Sequence, residues 1–233
     1  MTKSVSPFRG PSLILLAVVH ILLFAAGLAV AAALRHGASY VTPFAPAEQL
    51  RLFFAQNLSA TRMSSFFLFG SAVPFGIFAV TAVSRLKFLG VRATGTSIAL
   101  LGGLTATIAL LLSGMAGWVL SVPEVSDSAQ IVKAIDFLNF LSGGVCYAVG
   151  FGLLAAGVSI TSFFMRLMPR WVIFLGMALA ITGELSWFSL LVYPANFFIP
   201  ITRFLGFVWM IFAAIALMRE RRPAQGAVVN ASA

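Results

Sequence analysis

Six long apolar segments constrain the fold of this chain more than any other feature of its sequence. They cover approximately residues 12–34, 63–84, 94–120, 137–164, 171–193 and 198–218. Each is long enough to cross the ~30 Å hydrocarbon layer of a bilayer as a helix, and the first is too long for the ~7–15-residue apolar core of a signal peptide. Unbroken apolar runs also differ from the short alternating segments of a membrane β-barrel. The sequence therefore predicts an all-α, polytopic membrane helix bundle with six transmembrane helices.

The charge content supports the same conclusion. Only 9% of the 233 residues are charged, whereas a soluble domain carries about 25% charged residues. A net charge of +9 would favour a nucleic-acid partner in a soluble protein, but here the basic residues lie one to three at a time at the ends of the apolar segments. That distribution is typical of membrane proteins. We therefore expect membrane lipids, and no nucleic acid, as partners of this chain.

The basic residues also predict the orientation of the chain. With the amino terminus inside, ten of the fifteen Lys and Arg residues fall on the cytoplasmic side. The outside then receives the other five, which are Arg35, Arg51, Arg62, Lys133 and Arg203. Short cytoplasmic loops are enriched in Lys and Arg, so we expect an N-in/C-in, multi-pass protein. Residues 1–222 are predicted to form a single transmembrane domain, and the small, polar stretch 223–233 a disordered cytoplasmic tail.

A short outer helix is predicted between the first two spans, within "PAEQLRLFFAQNLSATRM". Apolar residues recur there at helical spacing among polar ones, namely Leu50, Phe53, Phe54 and Leu58. Pro46 suits the start of a helix. Two arrangements remain open, an amphipathic helix lying at the outer interface and an extension of the second span above the membrane.

Small residues in the fourth and fifth spans predict close helix packing. In the fourth span they recur at every fourth position, at Gly144, Ala148, Gly152 and Ala156. In the fifth span Gly176 and Ala180 have the same spacing, and Glu184 continues that row. A stripe of small residues lets a neighbouring backbone approach closely. Packing within the chain is the favoured interpretation, and the spacing leaves a homodimer interface open.

One acid and one base lie at membrane depth in the last two spans. Glu184 lies ~10 Å below the outer end of the fifth span, and Arg203 lies ~6–8 Å into the sixth. The turn between these spans is short, so the two helices should be antiparallel neighbours. An unpaired ion at this depth costs at least a few kcal/mol. We therefore predict a contact between Glu184 and Arg203, either as a structural ion pair or as part of a ligand or proton site.

Other polar and aromatic residues are expected near the same outer level. Asp136 and Asn139 open the fourth span, and Tyr147 and Trp187 are predicted to line the same region. Together with Glu184 and Arg203 they would form an outward-facing polar pocket beneath an aromatic rim. The alternative is that the aromatic residues simply lie at the membrane interface.

The chain carries no sequence motif of established enzyme chemistry. Walker, HExxH, GxSxG and CxxC motifs are all missing from the sequence. Two histidines and a single cysteine give no ligand set for a metal ion. We therefore expect no cofactor, no metal and no catalytic residues.

Three short stretches carry a resemblance to a known group of proteins. They are "FFAQN" before the second span, "MPRWVIFLG" at the start of the fifth, and "GFVWMIFAAIALMRERR" at the end of the sixth. In these the chain resembles uncharacterised bacterial six-helix integral membrane proteins, a domain-of-unknown-function family. The resemblance implies a bacterial inner-membrane protein without an assigned activity.

Taken together, these features favour a small-ligand-binding or accessory membrane component, with an outward-facing polar pocket around Glu184 that takes a hydrophobic or cationic ligand. One alternative is a transporter or permease, which could be proton-coupled. Another is a subunit of a larger membrane complex or of a homo-oligomer. An intramembrane enzyme that uses Asp136 or Glu184 as acid or base ranks last, because it has no partner motif.

Overall fold

The structure, a computed structural model, describes residues 10–219 of the chain. Within this range eight α-helices follow one another and no β-strand occurs. They are α1 (Leu13–Leu34), α2 (Ala47–Gln56), α3 (Leu58–Phe88), α4 (Gly95–Val119), α5 (Ala129–Phe140), α6 (Tyr147–Met165), α7 (Arg170–Leu185) and α8 (Phe198–Met218). The predicted disordered tail, 223–233, lies outside the described residues.

Six helical segments of the described chain are long and apolar enough to cross a membrane. They are α1, α3, α4, the continuous segment Ala129–Met165, and two that extend α7 and α8 with short 3-10 turns, Arg170–Leu190 and Tyr193–Met218. The predicted six-span helix bundle is therefore confirmed. The second and fourth spans begin one to two turns earlier than predicted, because amphipathic turns continue these helices above their apolar parts.

The six spans pack in chain order, and the last returns to the first. Each of α1, α3, α4, α6, α7 and α8 contacts the next, and α8 also contacts α1, which closes the bundle. A single core of buried apolar side chains runs through all of these helices, with Phe75, Phe151 and Trp209 among its largest members. At one end the Arg85 side chain of α3 donates from Nε to the Leu217 carbonyl oxygen of α8, at 2.8 Å.

The predicted outer helix is present as α2, separate from the second span. The chain breaks between α2 and α3 at Asn57, whose φ of −125° is not helical. The apolar α2 residues Leu50, Phe53 and Phe54 are buried together with Val132 of α5 and Leu120, in a second, smaller apolar cluster. The α2 helix therefore covers one end of the bundle instead of extending α3.

A wide helical turn interrupts the fourth span. Residues Leu141–Cys146 form a π-helix between α5 and α6, in which hydrogen bonds close five residues apart instead of four. The segment contains the adjacent glycines Gly143 and Gly144. Because the turn is wider, Gly144 within it is rotated out of the row that continues in α6 with Ala148 and Gly152.

The small residues that were predicted to form one stripe accordingly contact different neighbours. Ala148 and Gly152 of α6 lie against the backbone of α7, where a Cβ atom on Gly152 would come within 3.2 Å of the Ala180 carbonyl oxygen. Gly176 of α7 packs on Ser159 and Trp209. Gly144 faces Ile199 of α8 instead, and Ala156 lines a groove beside α4.

Candidate functional site

A polar cavity lies at the end of the bundle that α2 covers. It has a volume of about 150 Å³ and lies between α1, α2, α3, α4, α5 and the connection from α1 to α2. Its polar lining residues are Arg35, Tyr40, Thr61, Ser64, Ser65, Ser113 and Asn139. The cavity thus gathers small polar residues from three different spans at one level.

Asn139 is held in place by α4. The Ser113 hydroxyl donates to the Asn139 side-chain oxygen at 2.6 Å and to its backbone oxygen at 3.2 Å. With its oxygen occupied, the Asn139 amide group has its NH₂ donor left over, and that nitrogen lies near Gly117, another cavity residue. This NH₂ group is the part of Asn139 that can donate to a neighbouring acceptor, and Asp136 is one such neighbour.

Asp136 lies one helical turn before Asn139 and is completely buried, with 0% of its surface exposed. Neither carboxyl oxygen has a hydrogen-bond partner of normal geometry among the described residues. The Asn139 side chain is close enough to interact with it. A buried carboxyl group without a donor is costly, so Asp136 is the least satisfied side chain at this end of the protein.

Tyr40 lines the cavity, although 59% of its surface is exposed. Partial loss of hydration and, second, the negative charge of Asp136 raise the pKa of Tyr40 above its ordinary value, and the charge of Arg35 opposes this shift. Tyr40 therefore stays protonated at neutral pH and keeps its O–H donor. Its ring packs edge-on against Phe53 of α2, with ring centroids 5.9 Å apart.

A second polar group occupies the core of the bundle, around Arg203. Its guanidinium donates to the Gly143 carbonyl oxygen in the π-helical turn. The same group lies over the rings of Tyr147 and Phe24, with 4.5 and 5.1 Å from the guanidinium carbon to the two ring centroids. The Arg203 charge is thus stabilised by a carbonyl dipole and two aromatic faces, and no carboxylate within residues 10–219 pairs with it.

His20 of α1 belongs to this core. It is 1% exposed, and its Nδ1 lies 2.9 Å from the Ser71 carbonyl oxygen. A carbonyl only accepts, so Nδ1 carries the proton and Nε2 is an acceptor. His20 Nε2, the Tyr147 hydroxyl and Arg203 Nε all lack a hydrogen-bond partner among residues 10–219.

The predicted contact between Glu184 and Arg203 is absent, which corrects that prediction. The one ion pair found in the described part of the chain joins Arg51 to Glu48, at 2.6 Å. Where α7 and α8 contact each other, the Thr202 hydroxyl of α8 donates to the Thr182 hydroxyl oxygen of α7 at 2.9 Å.

Helix rotation explains this difference. Each residue turns a helix by about 100°. Arg203, one residue after Thr202, therefore points towards α1 and α6. Glu184, two residues after Thr182, points out of the bundle and is exposed. Residues spaced by four, such as Gly176, Ala180 and Glu184, also rotate around the helix by about 40° per step. Gly183 therefore makes the close approach to α6 at this level, and a Cβ atom added to it would lie 2.6 Å from the Ala148 carbonyl oxygen.

The six predicted site residues therefore separate into three groups. Asn139 lines the cavity and Asp136 is buried one helical turn before it, whereas Tyr147 and Arg203 lie together in the core. Glu184 and Trp187 lie on the outside of α7, where the exposed Trp187 ring stacks on Phe188 with centroids 4.5 Å apart.

Sequence reasoning missed the cavity residues Arg35, Tyr40 and Ser65. Tyr40 and Arg35 lie in a loop, which carries no periodic signal. A usable signal did exist for Ser65, because Thr61, Ser64 and Ser65 form a polar turn at the outer end of a span, at the level of Ser113 and Asn139. No family model, curated protein or solved structure matches this chain.

Proposed function

We propose that this chain is a multi-pass protein of the bacterial inner membrane that binds a small organic cation in its outward-facing polar cavity. The proposal rests on one observation, the fully buried Asp136 carboxyl group without a hydrogen-bond partner, beside a cavity lined by Asn139 and Tyr40. An ammonium group supplies the charge and the donors that this carboxylate lacks.

The rest of the cavity suits a short ligand of mixed character. Ser65 and Ser113 offer hydroxyl groups, while Leu28, Leu68 and Phe54 offer apolar surface. Arg35 lies at the rim with Nε donating to the Ala31 carbonyl oxygen of its own helix, at 3.2 Å. This hydrogen bond ties the Arg35 guanidinium to the end of α1.

Thermal unfolding of the purified chain in a neutral detergent tests the proposal. The probes are primary alkylammonium ions from methyl- to hexylammonium, and the matched controls are the alcohols of the same chain lengths. We expect the ammonium ions to raise the unfolding midpoint, as a ligand of the folded state does, and the alcohols to leave it unchanged. In Asp136→Asn the shift should vanish although the unliganded midpoint stays equal or rises. An equal shift in wild type and Asp136→Asn would overturn the proposal.

A proton-coupled transporter is the second candidate, and a series of buried polar groups favours it. Asp136, Tyr147, Ser159 and Ser162 of the fourth span, with His20 and Trp209, carry buried polar atoms that lack partners among the described residues. They extend from the outer end of the bundle to the inner half of α6. Proton uptake by proteoliposomes under an imposed pH gradient tests this candidate. Equal uptake by wild type and by Tyr147→Phe would argue against it.

Membership in a larger membrane complex is supported by Glu184. This acid is exposed within a span, beside the exposed apolar residues Ile181 and Trp187, whereas ionisable residues in spans almost always face a bundle interior or a cavity. A basic residue on a partner helix would satisfy it. If this is right, a stoichiometric partner copurifies with wild type in a mild detergent and is lost from Glu184→Gln.

A further inference from the structure

An apolar groove opens towards the membrane at the opposite end of the bundle, between α4 and α6. It has a volume of about 400 Å³ and is lined almost wholly by apolar surface, including Ile98, Ile160 and Phe164. Phe164 is 78% exposed. From Ala156 to Met165 the groove follows α6 for about 14 Å, which is the length of a good part of a lipid acyl chain.

Close packing of α4 on α6 forms the floor of this groove. A Cβ atom on Gly157 would come within 2.6 Å of the Ala99 backbone nitrogen, and Gly95 is equally close to Thr161. The helices therefore meet backbone to backbone at this level. The larger side chains of Ile98, Ile160 and Phe164 line the groove beside this contact.

Basic residues border the groove at its mouth. Arg92 lines the groove itself and also a polar hollow of about 510 Å³ that contains Lys87 and Ser97. On the other side, Phe164 is shared with a hollow of about 450 Å³ that contains Arg166 and Arg170. Arg92 is exposed.

Basic residues outnumber acids at this end of the bundle, where Glu220, which follows α8 in the sequence, is the one acid. No Asp or Glu occurs between Glu48 and Glu124, or between Asp136 and Glu184. The connections from α3 to α4 and from α6 to α7 are therefore basic without any acid. These are the connections that the basic-residue bias assigns to the cytoplasmic side.

We infer that this groove is a binding site for an anionic phospholipid of the cytoplasmic leaflet. The acyl chain lies along Ile98, Ile160 and Phe164, and the headgroup phosphate lies between Arg92 and the basic hollows. Basic pockets between spans at the cytoplasmic face are the recognised setting for such headgroups. The site is separate from the outer cavity and does not depend on the function proposed for it.

Lipid binding to the purified full chain, followed by native mass spectrometry and by the unfolding midpoint, tests the inference. The probes are phosphatidylglycerol and phosphatidylcholine with identical acyl chains, and soluble glycerol phosphate. We expect phosphatidylglycerol to bind at least fivefold more tightly than phosphatidylcholine, and glycerol phosphate alone to give no shift. Equal binding of the two lipids, or a shift by glycerol phosphate equal to that of the lipid, would overturn the inference.

Variants test the headgroup position and the acyl-chain groove separately. Arg92→Gln should weaken phosphatidylglycerol binding about fivefold, which corresponds to about 1 kcal/mol for one basic residue near an anionic headgroup. Arg51→Gln, a basic residue on the opposite side of the molecule, is the matched control and should change nothing. Ala156→Leu narrows the groove and should reduce the binding of both lipids. The same loss in Arg51→Gln as in Arg92→Gln would show a general charge effect and refute the site.

Discussion

At the scale of single residues, the Arg203 cation is stabilised without an opposite charge from the described part of the chain. Arg203 donates to a backbone carbonyl and lies against two aromatic rings. Arginine suits this position because its planar guanidinium stacks on rings and is less strongly hydrated than an ammonium group. Glu184, the acid expected beside it, faces away.

Substitution of Arg203 by lysine should separate charge from geometry. Arg203→Lys keeps the buried charge but loses the stacked guanidinium and its placement at the Gly143 carbonyl. We expect the free energy of unfolding in detergent to fall by about 1–3 kcal/mol. Glu184→Gln, at an exposed site, should change it by less than about 0.5 kcal/mol.

The double variant measures the ion pair directly. Without a contact, the effects of Arg203→Lys and Glu184→Gln should add to within about 0.5 kcal/mol. A coupling free energy above about 1 kcal/mol would show that Glu184 and Arg203 interact, and would contradict the geometry described above.

At the scale of helices, backbone contact between spans carries much of the packing. Gly150 of α6 lies so close to α4 that a Cβ atom would come within 2.6 Å of the Ala106 backbone nitrogen and 2.9 Å of the Gly102 carbonyl oxygen. Neither atom belongs to a flexible side chain, so the helices themselves would have to separate.

Two glycine variants test this packing. We expect Gly150→Ala to cost about 1–3 kcal/mol of unfolding free energy through overpacking. Gly70→Ala is the control, because no atom lies within 4 Å of its added methyl group, and it should leave stability unchanged or raise it by up to about 1 kcal/mol. Equal midpoints for the two variants in the same detergent would refute the backbone contact.

The helices also show which features the sequence can predict. Hydropathy predicts six spans and the apolar face of α2, because both depend only on local composition. It cannot predict the π-helical turn at Leu141–Cys146, since the extra residue in that turn changes neither composition nor length noticeably. The directions of Glu184 and Arg203 depend on helix rotation, which only the packing of α7 on α8 fixes.

At the scale of the whole molecule, the two ends of the bundle differ in character. One end has the small polar cavity, α2 and most of the acids, and the other has the basic connections and the apolar groove. The individual cavity residues come from five helices and a loop. No local sequence pattern brings Tyr40 to the same cavity as Asn139, so the site itself was only partly predictable.

Thiol labelling of intact cells tests the orientation. In a Cys146→Ala background, a cysteine at the exposed Ser39 should react with a membrane-impermeant maleimide, and a cysteine at the exposed Ala93 should react only after lysis. The opposite pattern would invert the predicted N-in/C-in topology, and with it the leaflet assigned to the phospholipid groove.

The aromatic faces that hold Arg203 have a consequence for biosynthesis. Phe24 and Tyr147, and the Gly143 carbonyl, all precede Arg203 in the chain. During translation they are already in the bilayer when the last helix leaves the ribosome. That helix carries a cation whose burial in lipid alone costs a few kcal/mol, and we expect contact with the earlier helices to lower this cost during its integration.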